Sequence, residues 1–386
     1  MRMTTHGRGL AAAVAAMLAL LLLGLAACGD GGVESGGGDE SAQTVQLESR
    51  PSGKVTISNW PLYIDDRTVP DFERESGVSV KYVEDVNDNA EFFGKMQPLL
   101  SKGQSGGRSL FVVTDWMANR MHELGYLQEF DKSGLETFDA NLVPALQSPA
   151  FDPERSWSAP WQSGMTGIIV RKDLAPDVRS ICDLFKPRYR GKVTMLTELY
   201  DTVPLVMKCE GVDPDEATED DWMAAIDRIG DAARSGQIRR FTGNDYAGDL
   251  TSGNTAAAIG WSGDAVQLQA DDRNIEWRMP SEGCMLWSDN MVIPVGAPNP
   301  TAAEAFIDYV YEPRIAGQIA AEVNYVSPVS GVREVLAEND PELANNQLIF
   351  PSDEFTSKCS TQPALTGEKQ ERITRAYNAV LTGGSG

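Results

Sequence analysis

Histidine is nearly missing from this chain: among 386 residues only His6 and His122 occur. Zinc centres and Ser-His-Asp triads both depend on imidazole, so catalysis by those routes is disfavoured. The glycine-rich stretch Gly103–Gly107 lacks the Lys-Ser/Thr of a phosphate-binding loop. Basic charge is scarce too, with 33 Lys and Arg against 56 Asp and Glu and a net charge of −23. A field of that sign repels nucleic acid and anionic lipid and attracts cations, although solubility alone also accounts for it. A calcium loop begins at Asp85-x-Asn87-x-Asn89 but fails, because Ala90 replaces the required glycine and Met96 the terminal ligand. The segment reads more simply as a cap on the following helix. No metal or cofactor is expected.

Long apolar runs are confined to one place. From Leu10 to Ala27 only Gly24 interrupts the hydrophobic stretch, Arg2 and Arg8 precede it, and the first acid is Asp30. It closes on Leu25-Ala26-Ala27-Cys28, so residues 1–27 read as a secretory signal ending in small residues. Cys28 looks like the acylated cysteine of a lipobox, and two acyl chains suffice for stable attachment. The alternative is an uncleaved anchor, since about 18 apolar residues can just span a bilayer. Cleavage would remove two arginines and no acid, leaving a charge of about −25. Residues 28–53 are rich in Gly, Ser, Asp and Glu without periodicity and read as a flexible tether. The expectation is an exported protein held at the outer face of the membrane by lipid, and monomeric.

From Lys54 onward about 330 residues remain, enough for two lobes with separate cores. Lys54–Ser58, Val78–Val83 and Ser109–Val113 read as strands; helices fall at Thr68–Ser76, Asn87–Leu100 and Trp116–Leu124. This β-α-β-α-β rhythm predicts a doubly wound parallel sheet, with ligands at the carboxyl ends of its strands. Here those ends are Asn59-Trp60 and Thr114-Asp115-Trp116. A second set follows, with strands at Gly167–Arg171, Lys192–Leu196, Thr255–Trp261 and Met291–Pro294 and helices at Thr202–Cys209, Glu219–Ser235, Thr301–Tyr311 and Lys369–Leu381. The expected fold is α/β and two-lobed, each lobe a mostly parallel sheet flanked by helices. The chain crosses between the lobes: 54–163 plus 289–330 form one, and 164–288 plus 331–384 the other. Apart from Cys28, four cysteines remain, Cys182, Cys209, Cys284 and Cys359, which allow three disulfide connectivities or four buried thiols.

At this point several blocks carry a family resemblance. Ser58-Asn59-Trp60-Pro61-Leu62-Tyr63-Ile64 is similar to the opening strand and turn of the spermidine/putrescine-binding proteins of polyamine ABC importers. The similarity continues through Val113–Met121, Ser158–Trp161, Asp183–Gly191, Ile259–Gly263 and Glu282–Pro294, and ends at Asn324–Pro328. Each block is weak alone; their order and spacing are specific. The resemblance implies a periplasmic-binding-protein-like fold with a ligand cleft between the lobes, partnered with the permease subunits of an importer. Its ligand positions fall on Trp60, Tyr63, Thr114, Trp116, Glu198, Asp201, Trp261, Trp287, Asp289 and Tyr325. Glu198 and Asp201 stand in reversed order relative to the family, and Gln362 corresponds loosely to a late glutamine. The same resemblance, with sequence proximity, suggests the pairs Cys182–Cys209 and Cys284–Cys359.

The chemistry of those residues agrees. A polyamine presents ammonium groups joined by methylene runs, and burying an ammonium requires carboxylate partners. Aromatic faces suit both parts, a desolvated cation–π contact being worth up to ~2 kcal/mol. Trp157 and Trp222 are assigned to the core, and Asp115 to a helix N-cap, with an extra cation contact as its alternative. Two other readings stay open: the same fold with another cationic or amino-bearing metabolite, and a secreted hydrolase using Glu198 and Asp289 as acid and base.

Overall fold

The computed structural model describes residues 51–363, 365 and 367–383. The signal segment, Cys28 and the tether up to residue 50 lie outside the described residues. Ten strands follow one another along the chain: β1 (Lys54–Asn59), β2 (Ser79–Glu84), β3 (Leu110–Thr114), β4 (Ala159–Arg171), β5 (Val193–Leu196), β6 (Ile238–Thr242), β7 (Ala257–Trp261), β8 (Ile275–Arg278), β9 (Met285–Val292) and β10 (Ser360–Thr361). Their order is β2-β1-β3-β9-β4-β7-β5-β6, with β8 added on β4 and β10 on β9. The two ends of this path are parallel, β2-β1-β3 on one side and β7-β5-β6 on the other. Between them β9 and β4 run antiparallel to each other, and each runs antiparallel to the wing it meets.

The inner strands of the parallel wings were legible because both their faces are covered. Every residue of β3, β5 and β7 is buried, as expected for strands with helices on both sides. The middle differs from expectation in length. β4 is a 13-residue strand, not the five residues from Gly167, and β9 begins at Met285, six residues before Met291. β4 is long because it serves two neighbours in turn. Ala159–Thr166 pairs with β9, and Thr166–Arg171 pairs with β7 and β8. The register shifts between Pro160 and Ser163, where proline has no N–H to give a ladder.

Helix ends place the candidate residues. Asp88, rather than Asp85 or Asn87, caps the helix Asn89–Leu100 by accepting from the Glu91 amide at 2.8 Å; Asp85 instead pairs with Arg108. Asp115 is not an N-cap either. Thr114 holds that position for the helix Asp115–Glu123, and the Asp115 carboxylate accepts from Asn290. The helix Pro313–Val323 stops at Asn324 in the left-handed region, φ 61°, and delivers Tyr325. Gly103–Gly107 also spells Gly-x-Ser-x-Gly. However, it leaves a helix for a strand, the reverse of a nucleophile elbow, and Ser105 donates to the Gly296 carbonyl at 3.1 Å. Trp157 and Trp222 are both core residues.

Two disulfides join Cys182 to Cys209 and Cys284 to Cys359, across 27 and 75 residues of sequence. Loops of these sizes stabilise by about 3.5 and about 4.5 kcal/mol respectively in the chain-entropy account. The second pair sits at the start of β9 and beside β10, its parallel neighbour. The crossing is tight: Gly283 has φ 95°, and a Cβ there would fall 1.8 Å from the Lys358 carbonyl oxygen. Among the described residues no helix is long and apolar enough to cross a membrane.

Candidate functional site

A narrow slot lies at the carboxyl ends of β1, β3 and β7 and beside the middle of β9. Nine of the ten residues carried over from the resemblance line it: Trp60, Tyr63, Thr114, Glu198, Asp201, Trp261, Trp287, Asp289 and Tyr325. Trp116 does not. Two residues past Thr114, it has already turned with the first helical residues, and its ring packs on Tyr200 with centroids 4.5 Å apart. Gln362, the loosely aligned glutamine, is in the slot. Asn89, Asn244 and a fourth carboxylate, Asp264, are there as well, and the sequence reading did not single them out.

Each carboxylate is positioned by a strand end or a helix start. Asp289 on β9 stands in register with Thr114 on β3. Thr114 Oγ1 donates to it at 2.7 Å and Tyr63 Oη at 3.0 Å. Glu198 immediately precedes the helix Leu199–Cys209, and Asp201 lies in its first turn, where the helix dipole favours negative charge. Glu198 accepts from the Asn89 backbone amide at 2.7 Å and from Asn89 Nδ2 at 3.0 Å. Asp201 accepts from Thr166 Oγ1 at 2.6 Å, Gln362 Nε2 at 3.1 Å and Trp261 Nε1 at 3.3 Å. Asp264, in the first turn of the helix Ser262–Asp271, accepts from Tyr325 Oη at 2.5 Å, Tyr246 Oη at 2.6 Å and Asn244 Nδ2 at 3.1 Å.

No lysine or arginine is among the described residues lining the slot. Burial therefore dominates the electrostatics. It pushes Asp289 up to about 7 against the hydrogen bonds of Thr114 and Tyr63. It pushes Asp201 up to about 6 against Thr166, Trp261 and Gln362. Glu198 is raised well above the ordinary carboxylate range, by burial first and then by the nearby charges of Asp88 and Asp201. Asp264 is raised by burial despite its three donors. A protonated carboxyl is the cheapest answer to burial without a counter-ion, and an entering cation is the other.

The walls are aromatic. Trp60 meets Trp261 edge-on with centroids 6.0 Å apart, Tyr63 meets Tyr325 edge-on at 5.2 Å, and Trp287 tilts against Tyr325 at 5.4 Å. Four polar atoms of lining residues find no partner within the protein: Trp60 Nε1, Trp287 Nε1, Asn244 Oδ1 and Gln362 Oε1. Orphaned polar atoms of this kind cost free energy unless a ligand or water meets them.

Known proteins carry similar chains. The spermidine/putrescine-binding periplasmic protein of Escherichia coli is 26% identical over 299 residues, covering 77% of this chain and 82% of that protein. The putrescine/agmatine-binding protein of Pseudomonas aeruginosa is 29% identical over 350 residues, covering 85% and 92%. Among solved structures, the spermidine/putrescine ABC transporter substrate-binding protein of Streptococcus pneumoniae superposes with a TM-score of 0.69 at 23% identity, over 86% of this chain and 99% of that one. That likeness establishes the α/β fold of substrate-binding proteins for this chain. Residues 68–350 match the family described as bacterial extracellular solute-binding protein, and the chain belongs to that family.

Proposed function

We propose that this protein is the receptor of an ABC importer, that it captures a polyamine by closure of two lobes, and that it delivers the cargo to a permease. One observation carries the reading: three buried carboxylates, Glu198, Asp201 and Asp289, and the partly buried Asp264 stand in an aromatic slot with no lysine or arginine among its described lining residues. Isolated buried charges are expensive, and a ligand with two or three separated ammonium groups supplies the missing partners. Asp289, Asp201, Glu198 and Asp264 receive the ammonium groups. Trp60, Trp261, Trp287 and Tyr325 cover the methylene runs and contribute cation–π attraction. Asn244 Oδ1, an unpartnered acceptor, takes a further ammonium proton. The family and the polyamine-binding relatives support the same reading.

The lobes are residues 54–163 with 289–330, and 164–288 with 331–384. Between them run the Asn89–Glu198 hydrogen bonds and the bond from Thr197 Oγ1 to Asp88 at 2.8 Å. Lobe closure of this hinge type is the usual way such receptors enclose cargo. Cys28 holds the mature protein at the outer face of the membrane, the segment after it supplies reach, and the protein works as a monomer that does not transform its ligand. Titration calorimetry with putrescine, spermidine, neutral amino acids and a sugar tests the assignment. We expect stoichiometric binding of a polyamine, with the ligand recovered unchanged. Silence from both polyamines removes the reading, and turnover of either removes the non-catalytic role.

A further inference from the structure

A second cavity opens beside the slot, and free polyamines leave it unused. It is a wider, open groove, and its walls include Leu146, Phe151, Met165, Leu286, Val326 and Leu365. Only Trp287 and Gln362 border both groove and slot. The indole stands where it does because Gly164, its cross-strand partner, has no side chain. A Cβ on Gly164 would fall 2.5 Å from Trp287 Cζ2. The ring thus lies back over β4 at the junction of the two spaces.

The groove is unsuited to another ammonium. Its one carboxylate, Asp115, is already engaged by Asn290. The remaining walls are mostly aliphatic and aromatic, interspersed with Asn119, Ser163, Ser288, Ser327, Thr356 and Thr361, so an uncharged, mainly apolar extension of the ligand suits this space. The junction asks for something specific as well. Gln362 Nε2 is committed to Asp201, which fixes the amide and leaves Oε1 without a donor, while Trp287 Nε1 is left without an acceptor. One orphan acceptor and one orphan donor at the same crossing match the N–H and C=O of a secondary amide. A bare polyamine has no acceptor to offer the indole.

We propose that the site takes a polyamine bearing one amide-linked apolar group. The amine portion fills the carboxylate slot, the amide bridges Gln362 and Trp287, and the apolar portion lies in the groove. This rests on the polyamine reading of the slot and extends it to a substituted ligand.

The test is calorimetry on the mature protein with four compounds: putrescine, spermidine, N1-hexanoylspermidine, and N1-hexylspermidine, in which an amine link replaces the amide. We expect the hexanoyl compound to bind at least about tenfold tighter than putrescine, which carries the same number of ammonium groups. The hexyl compound should lose most of that gain. Leu146→Gln, outside the slot, should reduce the hexanoyl advantage several-fold and leave putrescine affinity unchanged. Binding of putrescine and spermidine with no gain from the hexanoyl group overturns the groove assignment alone. An equal gain from the hexyl compound overturns the role of the amide. Silence from every compound overturns this proposal together with the polyamine reading beneath it.

Discussion

The carboxylates of this protein fall into two populations that respond oppositely to the fold. On the surface, Asp173 is held below its ordinary range by Arg171 and Glu219 by Arg372, each across a direct ion pair. In the slot, Asp289, Asp201, Glu198 and Asp264 are all pushed up, because burial acts and no guanidinium or ammonium answers it. Net acidity alone cannot tell these populations apart. Only the second stores an unmet demand for positive charge, and that demand is where binding energy and pH dependence both originate.

The sharpest way to break this contrast is to remove one slot charge while keeping its shape. Asp289→Asn should weaken polyamine binding by at least about tenfold, since a desolvated charge partner is worth several times a neutral one. The variant's melting temperature in the absence of ligand should hold or rise. Unaltered affinity in calorimetry would show that Asp289 does not meet the ligand.

A pH series probes the whole set. Asp289 at about 7 and Asp201 at about 6 lie above their ordinary value, so each favours the folded empty protein when protonated. That contribution is present in acid and is lost as pH rises through the raised values. The empty protein should therefore melt at a higher temperature at pH 5.5 than at pH 8. Polyamine affinity should move the other way, falling about tenfold over the same interval, because protons must leave before ammonium groups enter. Parallel movement of the two quantities would contradict the account.

Loss of the Cys284–Cys359 bridge, as Cys284→Ser with Cys359→Ser, should cost about 4.5 kcal/mol of stability by denaturant titration and loosen Gln362. Its effect on affinity should be several-fold, smaller than that of Asp289→Asn. Smallest of all is the surface control. Glu219→Gln breaks an exposed ion pair, worth at most about 1 kcal/mol, and should leave polyamine affinity untouched. A loss of binding there would erase the distinction between the two populations.

Much of this was readable in the sequence, and the gaps have physical causes. Trp60, Thr114 and Trp261 are legible because strand ends in a doubly wound sheet point at ligands, and each closes or directly follows a buried strand. Trp116 lies outside the slot and borders the neighbouring groove, because a strand-to-helix junction rotates each successive side chain by roughly 100°. Asp264, in the first turn of a helix, carries no local signal that sets it apart from an ordinary acid. Its role depends on Tyr246 and Tyr325, distant in sequence and brought together by β7 and the turn after Asn324. Asn89 likewise reads as a helix start, and nothing local says that Glu198 lies across from it. The length of β4 was hidden by Pro160 and by the two glycines at Gly164 and Gly167, which depress strand propensity where wide aromatic rings cover them.

The cystine beside β9 has a mechanical consequence. β10 hydrogen-bonds to β9, and the bridge ties their approaches together, so Gln362 and Trp287 are clamped on one side of the slot. Asn89 with Glu198, and Trp60 with Trp261, meet across the opposite seam.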